Sequence, residues 1–349
     1  MEENKPLAYP YEFKDITPEE QKELDRLYDI MVVKTVRVGP KGYLVYKPFV
    51  KDAANIYNMP IRPTDVFVNT YQRSGTTWTQ ELVWLVANDF DYTKAAAVPL
   101  IERFPFLDGF MFFEEDHMDT YAKALKSENE NINIEEVKNM LRMICKPVSG
   151  MLAKAPSPRF IKTHLPLSLM NPTLLDTAKV VYVARDPRDV AVSCYHHAKL
   201  FRSMRFPNGF KDLWNIFYKD LFTLVPYFEH IKEAWEKRHH PNMLFLFYEE
   251  LSKDLPAVIR RVARFLGKEL NQDQMDRLCD HLSIENFKKN ESVNFEPMRK
   301  HGILATEEKF IRKGKTGGWR DYFDEDMTQQ AEQWIEENLR DTDLRFPNI

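Results

Sequence analysis

The chain has 349 residues, 44% of them hydrophobic and 29% charged, with a formal net charge of −4 at pH 7. That size suits one large α/β unit or two smaller ones, the acidic balance argues against a nucleic-acid partner, and apolar runs of about six residues, such as Leu82 to Ala87, are too short to span a membrane. The N-terminal Met1-Glu2-Glu3-Asn4-Lys5-Pro6 lacks the apolar stretch of a secretory signal, and Cys145, Cys194 and Cys279 show no ligand spacing, so a cytoplasmic protein with free thiols is expected.

Residues up to about 40 read as a polar, proline-containing arm on the body, and Tyr43-Leu44-Val45-Tyr46 as a short strand. The run Asp65-Val66-Phe67-Val68-Asn69-Thr70 is a second strand. It leads through Tyr71-Gln72-Arg73-Ser74-Gly75-Thr76-Thr77-Trp78 into a helical pattern, where Trp78, Leu82, Val83, Val86 and Phe90 recur at helical spacing as one buried face. A crowd of phenylalanines (Phe104, Phe106, Phe110, Phe112, Phe113) meets an acidic, Asn-rich and weakly periodic segment. We read residues of about 108–150 as an inserted lid within one domain spanning 1–349.

Three further runs are continuously apolar or nearly so: Arg159 to Thr163, Val180 to Ala184 and Met243 to Tyr248. Such runs are expected of strands covered on both faces. Helical patterns follow, one capped by Asp186-Pro187 and another opened by Asp254-Leu255-Pro256 and ended by Gly267. Strands alternating with helices predict an α/β fold: a central, mostly parallel sheet with helices on both faces and ligands at the carboxyl ends of the strands.

Four segments carry candidate chemistry. The first is the strand–turn–helix at Arg73-Ser74-Gly75-Thr76-Thr77. A helix start offers unpaired N–H groups and a partial positive charge, glycine admits close approach, and the hydroxyls add donors, so the segment predicts a P-loop-like anion cradle. It lacks the lysine-terminated spacing of a nucleoside-triphosphate loop. The second is Lys162-Thr163-His164 at a strand end, a cation and an imidazole two residues apart. A neutral imidazole can take a proton from an alcohol. The third is Arg185-Asp186-Pro187-Arg188-Asp189 leading to Ser193, in which Arg185 and Ser193 could grip a second phosphate while Arg188 and Asp189 read as surface charges. The fourth is Phe310 to Trp319, where Arg312, Lys313 and Lys315 stand among Gly314, Gly317 and Gly318 as a flexible basic loop. Each segment alone has a bland reading as a tight turn, a structural histidine, a capped helix or a solvated loop.

Together and in this order, the four segments resemble those of the cytosolic sulfotransferase family, which uses 3′-phosphoadenosine 5′-phosphosulfate. The resemblance covers roughly residues 40–345 and looks most like the insect branch containing retinol dehydratase. It implies that Arg73, Ser74, Gly75, Thr76 and Thr77 bind the 5′-phosphosulfate and that Trp78 stacks on adenine. Arg185, Ser193, Arg312, Lys313 and Gly314 would hold the 3′-phosphate, with Tyr248, Ser283 and Ile284 contacting the adenosine. His164 would be the catalytic base, with Lys162 and Arg73 stabilising the transferring group, and no metal is required. The acceptor is expected to be a small lipophilic phenol, sterol or retinoid-like alcohol in a pocket that includes Phe104, Phe106 and Phe110. The chain departs from the family pattern in three places. Arg73 stands where lysine is usual, Leu282-Ser283-Ile284 replaces a segment ending in phenylalanine, and the short dimer motif after the basic loop is absent. Two alternatives stay open: sulfation of an allylic alcohol followed by elimination, and a non-catalytic nucleotide or lipophile carrier.

Overall fold

The computed structural model describes residues 8–27, 34–112, 117–128, 130, 132–144, 146–202, 206–305 and 307–347. Phe113 and Cys145, both named above, lie outside the described residues, as do parts of the arm and of the insertion.

Strands β1 (Lys14–Asp15), β2 (Thr35–Val38) and β3 (Tyr43–Tyr46) form a small antiparallel sheet. The first two were not anticipated, because β1 is only two residues long and exposed. The main sheet contains β4 (Val66–Thr70), β5 (Phe160–Thr163), β6 (Lys179–Ala184) and β7 (Met243–Phe247), in the order β5-β4-β6-β7 with every pairing parallel. Alternation along each strand sends side chains to two separate cores. Phe67, Ile161, Val180, Tyr182 and Phe245 join one, while Val66, Val68, Phe160, Val181 and Leu246 join the other. The helices Pro187–Leu200, Phe210–Tyr218 and Tyr227–Glu236 cover the first face. Thr76–Ala87, Leu255–Leu266 and Gln272–His281 cover the second. The α/β architecture with helices on both faces is therefore as the sequence predicts.

Some boundaries differ. Tyr248 does not end β7 but begins the helix Tyr248–Lys253, because the Glu250 carboxylate accepts the Phe247 N–H at 2.9 Å and caps it there. The Thr76–Ala87 helix has no single buried face: Thr79, Gln80 and Glu81 are as buried as Leu82 and Val83. It lies between the sheet and the Leu255–Leu266 helix, so polar residues on it need partners. Glu81 takes Arg103 at 2.7 Å and His281 at 2.9 Å. Phe90 lies beyond the helix end.

The insertion contains two helices, Met118–Glu128 and Ile134–Ile144, packed on each other. Tyr121, Leu125, Val137 and Leu141 build a third core with Leu200, Ile303 and Leu304.

At the amino ends of β4 and β5, Arg159 and Asp65 form a fully buried bidentate pair. Arg159 also donates to the carbonyls of Leu152 and Pro60, each at 2.7 Å. Removing one partner of such a pair leaves an uncompensated charge. Arg159→Met should therefore cost about 3–5 kcal/mol of stability, read from urea unfolding, since the Asp65 carboxylate stays buried.

Candidate active site

The parallel register delivers the chemistry to one edge. Asn69 pairs with Thr163 and Thr70 with Val183, so the residues that follow all leave the sheet at its carboxyl end. These are Arg73 to Thr77, His164 and Arg185.

The cradle turns sharply. Arg73 has φ of +66° and Gly75 has φ of +99°. A Cβ on Gly75 would come within 2.6 Å of the Tyr248 ring, so only glycine fits. Thr70 and Thr76 share a hydroxyl hydrogen bond of 2.7 Å, which holds the helix start against the strand end. The first N–H groups of the helix lack intrahelical acceptors by geometry. Among the described residues, the buried Ser74 hydroxyl and the buried Arg185 Nε make no hydrogen bond.

Four cations converge here. Arg73 donates through Nε to the Ser193 hydroxyl at 3.1 Å and through Nη2 to the Phe310 carbonyl at 3.1 Å. Arg185 donates to the Arg73 carbonyl at 3.1 Å and to the Lys315 carbonyl at 3.3 Å, and lies 4.0 Å over the Tyr248 ring. Burial, then the repulsion of Arg185 and Arg312, draws the Arg73 guanidinium down to about 10. The basic loop is thereby held at the cradle. Its far end is fixed by Asp189, which accepts the N–H groups of Gly317 at 2.7 Å and Trp319 at 3.0 Å. Asp189 is buried, so the surface reading of this residue is corrected. Arg188, too, lies 4.0 Å over Trp319 and pairs with Asp186.

Aromatic and aliphatic side chains adjoin the cradle. Trp78 donates to the Leu282 carbonyl at 2.9 Å, and its ring is 5.9 Å from that of Tyr248. Ser283 caps the Ile284–Lys289 helix. Gly314, with φ of +63°, presses on Ile284 so closely that a Cβ would lie 2.3 Å from it. Arg312 is half-buried beside Tyr322, whereas Lys313 is exposed and paired with Asp321 at 3.2 Å.

The imidazole of His164 is buried and oriented. Its Nδ1 lies 2.8 Å from the Thr70 carbonyl, which can only accept. The proton therefore resides on Nδ1, and Nε2 carries the free lone pair. Burial first, then the Lys162 charge, holds the ring well below the usual histidine range, so it is neutral. Burial also lowers Lys162 to about 8. Its ammonium sits 3.8 Å over the Phe106 ring, whose edge meets His164 at 5.1 Å between centroids.

Sequence reasoning missed Asp108. This fully buried carboxylate accepts from the Thr163 hydroxyl at 2.7 Å and the His164 N–H at 3.0 Å, and burial pushes it up to about 6. No local pattern marks it, because its partners lie 55 and 56 residues away.

The three phenylalanines assigned to the acceptor pocket separate. Phe106 is half-buried against Lys162 and His164. Phe104 packs on Phe160 in the core of the opposite sheet face, and Phe110 is buried in the other core. Of the three, Phe106 stands against Lys162 and His164, while Phe104 and Phe110 pack in separate cores. The cavity beside the site is lined instead by Tyr46, Gln72, Phe112, Cys194, His197, Ala198, Phe222 and Thr223. His197 lies four residues beyond Ser193 on the same helix, a spacing that could have revealed it.

Comparison with known proteins agrees with this geometry. A sulfotransferase domain model matches residues 63–343. The chain is 35% identical to luciferin sulfotransferase of Photinus pyralis over 291 residues, covering 81% of this chain and 74% of that protein. It is 28% identical to sulfotransferase 1E1 of Homo sapiens over 306 residues, covering 87% and 94%. Among solved structures, retinol dehydratase in complex with androsterone and the inactive cofactor PAP superposes with a TM-score of 0.94 at 55% identity, covering 98% of this chain and all of that one. Retinol dehydratase in complex with retinol and PAP superposes equally well. The buried, unpartnered Ser74 hydroxyl and Arg185 Nε, and the glycine cradle beneath them, suit a polyanionic nucleotide. The chain belongs to the sulfotransferase family, close to the retinol dehydratase branch, and is an enzyme that takes its sulfuryl group from 3′-phosphoadenosine 5′-phosphosulfate.

Proposed function

We propose that the acceptor is a small lipophilic alcohol, retinoid-like or sterol-like, with His164 as the base in an in-line sulfuryl transfer. The observation that carries this reading is the His164 tautomer. Because Nδ1 donates to the Thr70 carbonyl, a neutral Nε2 is left to take the hydroxyl proton beside the cations of Lys162 and Arg73.

The donor, when bound, supplies the sulfuryl group. Arg73, Ser74, Gly75, Thr76 and Thr77 would hold its phosphosulfate end. Arg185, Ser193, Arg312, Lys313 and Gly314 would hold its 3′-phosphate, and Trp78, Tyr248, Ser283 and Ile284 its adenosine. Positive groups preset in a site poor in water cost no reorganisation as charge develops. The apolar lining at Tyr46, Phe112, Ala198 and Phe222 has the chemistry an apolar acceptor would require. We read the helix pair of the insertion as a lid over this side, within one domain. In support, its core includes Leu200, at the end of the helix that carries Ser193 and His197.

A second reading takes the same site further. An allylic polyene alcohol, once sulfated, carries a good leaving group and could eliminate to a hydrocarbon. The 55% identical retinol dehydratase favours it. A cytoplasmic location remains part of the proposal, and no helix among the described residues is long and apolar enough to cross a membrane. No group of three or more metal-ligating side chains occurs among the described residues.

Incubation with the donor and retinol, a sterol or a phenol, read by mass spectrometry, tests the acceptor class. A lipophilic alcohol should gain sulfate or lose water. Equal turnover of simple hydrophilic alcohols would overturn the assignment. His164→Ala should bind 3′-phosphoadenosine 5′-phosphate as the parent does, measured by calorimetry, while turnover falls roughly 10²–10⁴-fold. The pH profile of kcat/KM reports free-enzyme groups. Lys162 is charged below about 8 and neutral above it, so kcat/KM should decline as pH rises through that value. Lys162→Arg should move this alkaline limb upward, because guanidinium keeps its charge. The acid limb should lie below the ordinary histidine range, since His164 is held neutral there.

A further inference from the structure

His197 is the imidazole that the mechanism above leaves unused. Its side chain lines the cavity with Gln72, Cys194 and Phe112. Those neighbours tie the cavity to the transfer centre. Gln72 precedes Arg73, Phe112 packs 5.9 Å from Phe106, and Phe106 meets His164 at 5.1 Å. Other histidines near the site are engaged. His230 donates from Nε2 to the His164 carbonyl at 2.8 Å and accepts from Tyr182 at 2.7 Å, while His196 is held between Glu308 and Tyr322. Among the described residues neither ring nitrogen of His197 makes a hydrogen bond, and the rings of Phe201 and Phe310 flank it.

The dehydration reading requires two protons to leave the acceptor. One leaves the hydroxyl as the sulfate ester forms, and the other leaves a conjugated carbon as the ester eliminates. An imidazole accepts one proton, and these two come from different ends of a conjugated system. His164 takes the first.

We infer that His197 takes the second, making it a further catalytic residue that commits an allylic sulfate ester to elimination. This inference rests on the dehydration reading. In the step, the carbon–oxygen bond to sulfate breaks and its electron pair leaves with the sulfate, toward Arg73 and Lys162. A carbon–hydrogen bond along the polyene breaks, its electron pair forms the new double bond, and the proton passes to a His197 nitrogen. No oxidant or reductant is consumed. Burial and the charges of Arg73 and Lys162 hold His197 well below the usual range, so it is in its accepting form.

The test compares the parent enzyme with His197→Ala and His197→Gln, using retinol and the sulfuryl donor, with ester and hydrocarbon separated by mass spectrometry. The hydrocarbon-to-ester ratio should fall roughly 10²–10⁴-fold in both variants, with ester accumulating. Added imidazole should restore hydrocarbon in His197→Ala, which a purely structural role would not produce. An unchanged ratio in the alanine variant overturns the inference. Full elimination by the glutamine variant also overturns it, since an amide supplies polarity but accepts no proton. If His197→Ala does not fold, His197→Gln and His197→Phe carry the same comparison. A parent enzyme that releases only ester overturns the dehydration reading itself, a result distinguishable from failure of the variants.

Discussion

The parallel pairing of β4 with both β5 and β6 is the constraint on which the site depends. A strand at the centre of a parallel sheet has neighbours that run in its direction, so all three chains leave the sheet at one end. The register places Thr70, Thr163 and Ala184 near a common level. The phosphate cradle, the imidazole and Arg185 then follow within three residues of their strand ends. The Thr70 carbonyl sits at the junction. As the last residue of β4, Thr70 orients His164 through its carbonyl and braces the cradle helix through its hydroxyl.

Electrostatics shape the rest. Arg73, Lys162, Arg185 and Arg312 are brought together in a largely buried region, and Arg73 and Lys162 are drawn down by desolvation. Asp108 and Glu249 are carboxylates buried beside them, and the oxygens of Asp108 are occupied by Thr163 and the His164 backbone. Asp108 steadies the turn that carries His164. A cluster of buried cations costs stability in isolation. An anion that satisfies it is bound more tightly for that reason, and its binding stabilises the fold by mass action. The negative total charge of the chain is compatible with this, because the cations are concentrated by topology rather than by composition.

Hydrophobic packing separates the two sides of the chemistry. Trp78, Tyr248 and Ile284, beside the cradle, belong to or border the core on one sheet face. The cavity beside the site is bordered by Tyr46 and Phe112, which pack against the core on the other. These two apolar regions thus flank the carboxyl end of the sheet from opposite faces.

The amino-acid sequence alone determined the parallel strands, their helix caps and the four polar segments, because apolar runs, Asp-Pro starts and glycine turns act over a few residues. Arg73 to Thr77, Lys162, His164, Arg185 and Arg312 were readable for that reason. Only the tertiary structure decided what depends on contacts between distant segments. It turned Asp189 inward to hold the basic loop, placed Asp108 beneath His164, sent Phe104 to the far core, and exposed His197 to the cavity. It also buried the whole circumference of the cradle helix, which periodicity had assigned one face. Each outcome is set by which strand or helix lies opposite, and local pattern carries no record of that neighbour.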